Sequence, residues 1–267
     1  MLKGGRFLEN LLFSFTFFII LGKLIIGDKM QRYFITEKQN NNVTFSKEDS
    51  YHIKTVMRMT IEDKVEVVLN EKIYEVKLIS MEPNVLGEIV KEIEYQSELK
   101  TKVTLVQSLV KEQKMDYILQ KATELGVEEI IPYQAERSII KIEKNESKKV
   151  ERWNRIVKEA SEQSKRNKIP TVRESITLKQ LLELENYDVK VICSLQENSQ
   201  NLKKILSNFR NDVTMLFVIG PEGGFTQDEE NKLIEHGFLP VSLGDSVLRT
   251  ETAGLFIMSA IRYHNMG

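Results

Sequence analysis

The chain has 267 residues, 41% of them apolar and 29% charged, the composition of a folded globular protein large enough for one big or two ordinary domains. A single cysteine and three histidines exclude an internal disulfide and argue against a metal centre, so no metal is expected. The net charge of −1 excludes a generally polycationic protein, but twelve Lys/Arg against five Asp/Glu between Arg137 and Arg173 form a basic island. Such an island is either a docking face for a polyanion or a solvated helix face.

Residues 11–26 read "LLFSFTFFIILGKLII". The uncharged run from Leu11 to Gly22 is shorter than the roughly 20 residues of a spanning helix, and Lys23 interrupts it. Lys3 and Arg6 precede an apolar centre as in a signal peptide, yet Glu9 and the lack of a small-x-small cleavage site argue against one. Residues 1–29 are therefore read as an apolar extension outside the fold, with no membrane span in the mature fold. The folded chain is expected to start at Met30.

Residues 30–99 hold short Val-, Ile- and Tyr-rich runs: "QRYFI", "KVEVVLN", "KIYEVKLIS" and "LGEIVKEIEY". Polar breaks at Asn70–Glu71 and Pro83–Asn84 separate them. One helix is expected from about Ser46 to Met57, with Ser46 as its N-cap and Asp49 three positions on. This is the pattern of a small β-barrel-like domain.

From about Lys100 the rhythm becomes strand–helix–strand. "KVTLVQSLV" is a buried strand, and Met115, Ile118, Leu119, Ala122 and Leu125 share one helix face that Gly126 terminates. "VEEIIPY" follows as a strand. A long helix over 146–167 places Val150, Trp153, Ile156, Val157 and Ala160 on its apolar stripe. Its other face bears Arg152, Arg155, Glu159, Glu162, Gln163 and Arg166. "VKVICSL", "VTMLFVIG" and "FLPVSLG" add strands alternating with helices, and "TETAGLFIMSAIRYH" closes the chain. Residues 100–267 thus read as an α/β domain with a mainly parallel sheet, whose ligands bind at the carboxyl ends of strands.

Three such ends stand out: "SLQEN" (194–198), "GPEGGFT" (220–226) and "LGDSVLRTETA" (243–253). The glycine loop lacks the lysine of a P-loop and the spacing of a dinucleotide fingerprint. Glu222 would also repel phosphates in a partly dry site. A neutral or cationic ligand held through backbone groups suits it, unless the loop is simply a tight turn. In the third loop, Arg249 and Glu251 lie between stretches that should be buried, where polar groups must be paired or functional. Thr250 or Thr252 is expected to cap the closing helix.

"VIGPEGGFT" followed by "LGDSVLRTETA" resembles the bacterial 16S ribosomal RNA uridine-N3 methyltransferases of the SPOUT class. "QRYF" and "HIKTVMRM" resemble that family's N-terminal PUA-like barrel, and "QKATELGVEEIIPYQAERS" and "EASEQSKRNKIP" its middle motifs. The likeness runs from Met30 to about Arg262; the N-terminal extension departs from the pattern. It implies a C-terminal SPOUT trefoil-knot domain preceded by a PUA-like RNA-binding domain. It also implies an S-adenosylmethionine cofactor and a cytoplasmic homodimer acting on the 16S rRNA of the small ribosomal subunit. Carried onto this chain, the cofactor residues are Leu195, Ile219, Gly220, Pro221, Glu222, Gly223, Gly224, Leu243, Gly244, Val247, Leu248, Arg249, Thr250, Thr252 and Ala253.

N3 of uracil is a poor nucleophile while protonated and lies on the pairing edge, so the base must be unpaired and its proton removed. Arg249 is the candidate to hold the base or a flanking phosphate, and Glu251 or Glu162 the candidate proton acceptor. Arg32, His52, Arg58, Arg137, Gln163 and Arg166 are the expected RNA contacts. A related knotted methyltransferase for another RNA, or a non-catalytic PUA-type assembly protein, would share much of this pattern.

Overall fold

In the computed structural model, residues 30–141, 146–196, 199–209 and 212–266 are described. The apolar segment 11–26 lies outside them. Among the described residues no helix is long and apolar enough to cross a membrane. The chain forms two compact units, one ending at Ile93 and one beginning at Glu94, a boundary six residues before the one drawn from composition.

The first unit is a six-stranded sheet. Its strands are β1 (Arg32–Phe34), β2 (Lys38–Gln39), β3 (Asn42–Thr44), β4 (Lys64–Leu69), β5 (Lys72–Ser80) and β6 (Leu86–Ile93), in the order β1-β4-β5-β6-β3-β2. Every pairing is antiparallel except β1 with β4. Alternation sends Val65, Val67, Val76 and Leu78 inward onto Tyr33 and Phe45. The β2–β3 hairpin escaped the sequence reading because Val43 is its sole inward apolar residue. Ser46 caps helix α1 (Lys47–Tyr51), accepting from the Asp49 N–H at 3.0 Å, and the helix runs on into a π-helical turn over His52–Val56.

Two expected RNA contacts are structural here. Arg32 is 2% exposed, with Nε donating to Glu66 Oε2 at 2.9 Å on the neighbouring strand. His52 is half-buried, its Nδ1 2.9 Å from the Tyr33 hydroxyl. Arg58 is exposed in a left-handed conformation (φ 54°).

The second unit is a wholly parallel seven-stranded sheet built from β7 (Lys102–Ser108), β8 (Glu129–Tyr133), β9 (Thr171–Val172), β10 (Val189–Cys193), β11 (Gln200–Asn201), β12 (Thr214–Ile219) and β13 (Leu239–Ser242). Its order is β11-β13-β10-β12-β7-β8-β9. Because β12 is buried along nearly its whole length, successive side chains supply both faces. Met215 and Phe217 pack with helices α2 (Glu112–Glu124), α3 (Ser147–Gln163), α5 (Leu202–Asn208) and α7 (Thr250–His264). Leu216 and Val218 meet α4 (Leu178–Leu182) and α6 (Gln227–Glu235) on the opposite face, through Leu181 and Leu233. Gly126 ends α2 as expected, at φ 100°.

The long helix stops four residues short of the expected end. Lys165 turns left-handed at φ 62° and carries Arg166 inward. Arg166 is 3% exposed, donating to the Val127 carbonyl at 2.7 Å and forming an ion pair with buried Glu98. It is therefore not a surface RNA contact. Burial opposes ionisation of Glu98, but Arg166 and the backbone N–H groups of Asn167 and Lys168 outweigh it and hold the carboxyl below its ordinary value.

Arg166→Met should destabilise the protein by about 3–5 kcal/mol, since it strands a buried carboxylate; urea unfolding reads the loss. A depressed carboxyl contributes stability above its unfolded value of about 4.3, and that contribution disappears as pH falls through the folded value. The gap between wild type and variant should accordingly narrow in acid.

Candidate active site

Strands β13, β10 and β12 are adjacent, so the loops leaving their carboxyl ends meet over one edge of the sheet. Between them lies a cavity of about 670 Å³, within the usual range for small-molecule sites. Cys193 to Gln196, Ile219 to Phe225 and the 243–250 loop form its walls, with Lys114, Arg137, Glu230 and Ala253.

The glycine loop is fixed from several sides. Ser108 Oγ donates to the Ile219 carbonyl at 2.6 Å, and Thr250 Oγ1 donates to the Gly220 carbonyl at 2.6 Å. The buried Gln107 amide in turn donates to Thr250 Oγ1 at 2.9 Å. The Gly224 N–H closes a turn onto the Pro221 carbonyl, with Gly224 at φ 67°. A Cβ at Gly220 would lie 3.1 Å from the Phe225 ring, so the aromatic packs directly on the glycine. Arg137 Nη1 donates to the carbonyls of Gly223 and Phe225 at 3.1 and 3.2 Å. Beyond the loop, Thr226 and Glu229 form a capping box that starts α6, and Tyr133 donates to Glu229 at 2.7 Å. Burial, reinforced by Glu229, pushes the Tyr133 hydroxyl well above its ordinary value. Burial likewise pushes the Cys193 thiol up to about 12.

The start of α7 differs from the expected cap. Arg249 occupies the N-cap position without a side-chain bond, and Thr250 is the first helical residue. Thr250 is engaged by Gln107 and Gly220 instead, while Thr252 is exposed and does not line the cavity. Arg249 is exposed at the cavity wall and makes no side-chain hydrogen bond or ion pair among the described residues.

Glu222 does not stand alone. Lys114, in the first turn of α2, places Nζ 3.1 Å from Glu222 Oε1 and 3.3 Å from Glu251 Oε2. Burial works against ionisation of Glu251; its own backbone N–H, Lys114 and Arg249 overcome this and hold the carboxyl below its ordinary value. Glu251 is thus ionised and able to accept a proton, but it is a weak base.

The remaining expected positions divide clearly. Leu195, Ile219 to Gly224, Leu243, Gly244 and Val247 to Thr250 line the cavity together with Ala253. Glu162 and Gln163 do not; Glu162 lies beside Lys158 at 3.5 Å and Gln163 is exposed at the end of α3. Lys114, Gln107 and Ser108 were missed. They sit at the carboxyl end of β7 and the start of α2, where the strand-end rule points, but in a stretch with no glycine to draw attention.

The wall chemistry suits a zwitterionic nucleoside. Ile219, Leu243, Leu248 and Ala253 supply apolar surface, and glycine backbone allows close approach at Gly220 to Gly224. Lys114, Arg137 and Arg249 are mixed with Glu222 and Glu230. Residues 97–262 match the family model for an RNA methyltransferase domain, and residues 45–89 that for an RNA methyltransferase PUA domain. This chain belongs to the RNA methyltransferase family. The ribosomal RNA small subunit methyltransferase E of Bacillus subtilis is 39% identical, over 88% of this chain and 96% of its own. A solved structure of the enzyme of that name from Neisseria gonorrhoeae, bound to S-adenosyl methionine, superposes with a TM-score of 0.78 at 31% identity. It covers 88% of this chain and 97% of that one. A Legionella pneumophila methyltransferase structure, also with bound SAM, gives 0.80 at 30% identity, with 88% and 97% coverage.

Thr250→Val keeps the shape but leaves the Gly220 carbonyl and the Gln107 amide without their hydroxyl partner. It should cost about 1–3 kcal/mol, whereas Thr250→Ser should cost much less; thermal melts of the two variants measure the difference.

Proposed function

We propose that this protein methylates N3 of a specific uridine in the 16S rRNA of the small ribosomal subunit, with S-adenosylmethionine held in the cavity over β10, β12 and β13. The observation that carries the reading is the union of an apolar, glycine-lined cradle with an unbonded arginine and an ionised acid at one strand-end edge. When bound, the cofactor supplies a methyl group on a positively charged sulfur. Ile219 to Gly224 and Leu243 to Leu248 hold the nucleoside, with Thr250 and Ala253 closing the wall, and Leu195 borders the mouth.

Arg249 is free to take the uracil or a flanking phosphate because no described residue bonds its side chain. Glu251 lies within the field of Lys114 and Arg249 and accepts or relays the N3 proton. RNA affinity comes from exposed groups such as Arg58 and Gln163, and from the basic residues around α3. Within one chain Arg137 is engaged by the glycine loop, so its contribution to RNA would be indirect.

The homodimer reading is supported by a groove beside α7. Phe256 and Tyr263 are 45% and 80% exposed there, next to Leu206. The knot reading is supported by the path of the chain. β13 lies outside β10, yet α7, which follows it, packs on β7 and β12, so the last segment returns across the sheet and meets Gly220. A cytoplasmic location follows from a ribosomal substrate.

Primer extension on 16S rRNA from cells lacking the gene should show one methylation stop missing, restored by the wild-type protein. Calorimetry should show S-adenosylmethionine binding to both wild type and Arg249→Ala. Turnover of Arg249→Ala should fall on the order of 10²-fold or more, as for loss of one charge-stabilising donor. Full turnover by this variant would remove Arg249 from the mechanism.

A further inference from the structure

The glycine loop does not need Lys114 to hold its shape. Ser108, Thr250 and Arg137 already bond its carbonyls, and the Thr226–Glu229 box fixes its exit. Lys114 instead lies on the cavity wall, with its side chain 32% exposed, between two carboxylates from different elements. Glu222 accepts a hydrogen bond from the ammonium group and Glu251 lies at ion-pair distance, so donor capacity remains for a ligand. Without this cation, the carboxyl groups of Glu222 and Glu251 would lie beside the site with Arg249 as the other cation acting on Glu251.

A uracil that loses its N3 proton spreads the charge over the two carbonyl oxygens flanking N3. One arginine serves one side. Resting on the uridine-N3 reading above, we infer that Lys114 is the second cation of the substrate site, meeting one flanking carbonyl of uracil while Arg249 meets the other. The N3–H bond breaks, its electron pair stays on N3 shared with both oxygens, and the proton leaves through Glu251 to water. Lys114 and Arg249 make the departure possible for so weak a base as Glu251. The arrangement also selects for a base with a carbonyl on each side of an N–H. Cytosine, with an amino group on one side, would present a donor to one of the two cations.

The test uses a small-subunit rRNA segment with 5-fluorouridine at the position that wild-type protein methylates, followed by fluorine NMR as pH rises. Bound to wild type, the fluorouracil should deprotonate at lower pH than in free RNA. Lys114→Met should raise that midpoint by about one pH unit, the effect of removing a neighbouring opposite charge. Lys114→Arg should hold it near wild type. Glu222→Gln should move it the other way, because it releases Lys114 toward the base. Calorimetry should give the two Lys114 variants unchanged affinity for S-adenosylmethionine.

If Lys114 merely braced the loop, Lys114→Met and Glu222→Gln would shift the midpoint alike, and Lys114→Met would weaken cofactor binding. Either that result or a wild-type midpoint in Lys114→Met overturns the inference. Failure of the wild-type protein to methylate any uridine of the segment would instead overturn the functional reading beneath it.

Discussion

The site depends on one short chain of hydrogen bonds. Gln107 at the end of β7 donates to Thr250 at the start of α7, and Thr250 donates to the carbonyl of Gly220 just after β12. Each member is buried or nearly so, where an unmet donor or acceptor costs most. These bonds turn three distant pieces of chain into one rigid corner. The cavity walls, the exposed Arg249 and the acid at Glu251 all take their positions from it.

Charge at this corner is arranged rather than accumulated. The cavity brings three cations near Glu222, Glu230 and Glu251, and Lys114 divides its charge between two of the acids. A carboxylate in the glycine loop looked, in the sequence, like a partner for a cationic ligand. In the fold that carboxylate already has a partner from α2. Its effect on a ligand therefore passes through Lys114, and the same acid that argues against phosphates also orients the ammonium group.

Much of this was legible. Partly alternating runs marked the small β unit and strand–helix alternation the α/β unit, because β5 opens on alternating exposed and buried residues and α2 buries one helical stripe. The strand-end rule located three of the loops. What escaped is instructive. The β2–β3 hairpin is nearly all polar, so periodicity had nothing to register. Arg166 seemed to continue a helix face until Lys165 took a left-handed turn, a conformation that lysine does not advertise. Arg32 appeared as a surface cation because its partner, Glu66, lies on a strand brought alongside only by a parallel pairing. Lys114 was one charge among many at a helix start; only tertiary structure places it between two acids. Composition also gave no sign that Glu162 would lie away from the cavity.

The corner also bears on how the protein is made. Ser108 meets a carbonyl 111 positions later, and Gln107 a hydroxyl 143 positions later. Contacts so remote along the chain make folding slow relative to proteins with local contacts. Because Thr250 and Arg249 belong to the start of α7, nothing resembling the finished cavity exists until that helix has been made. A nascent chain still on the ribosome therefore presents its β unit to the surroundings well before it has a place to hold a cofactor.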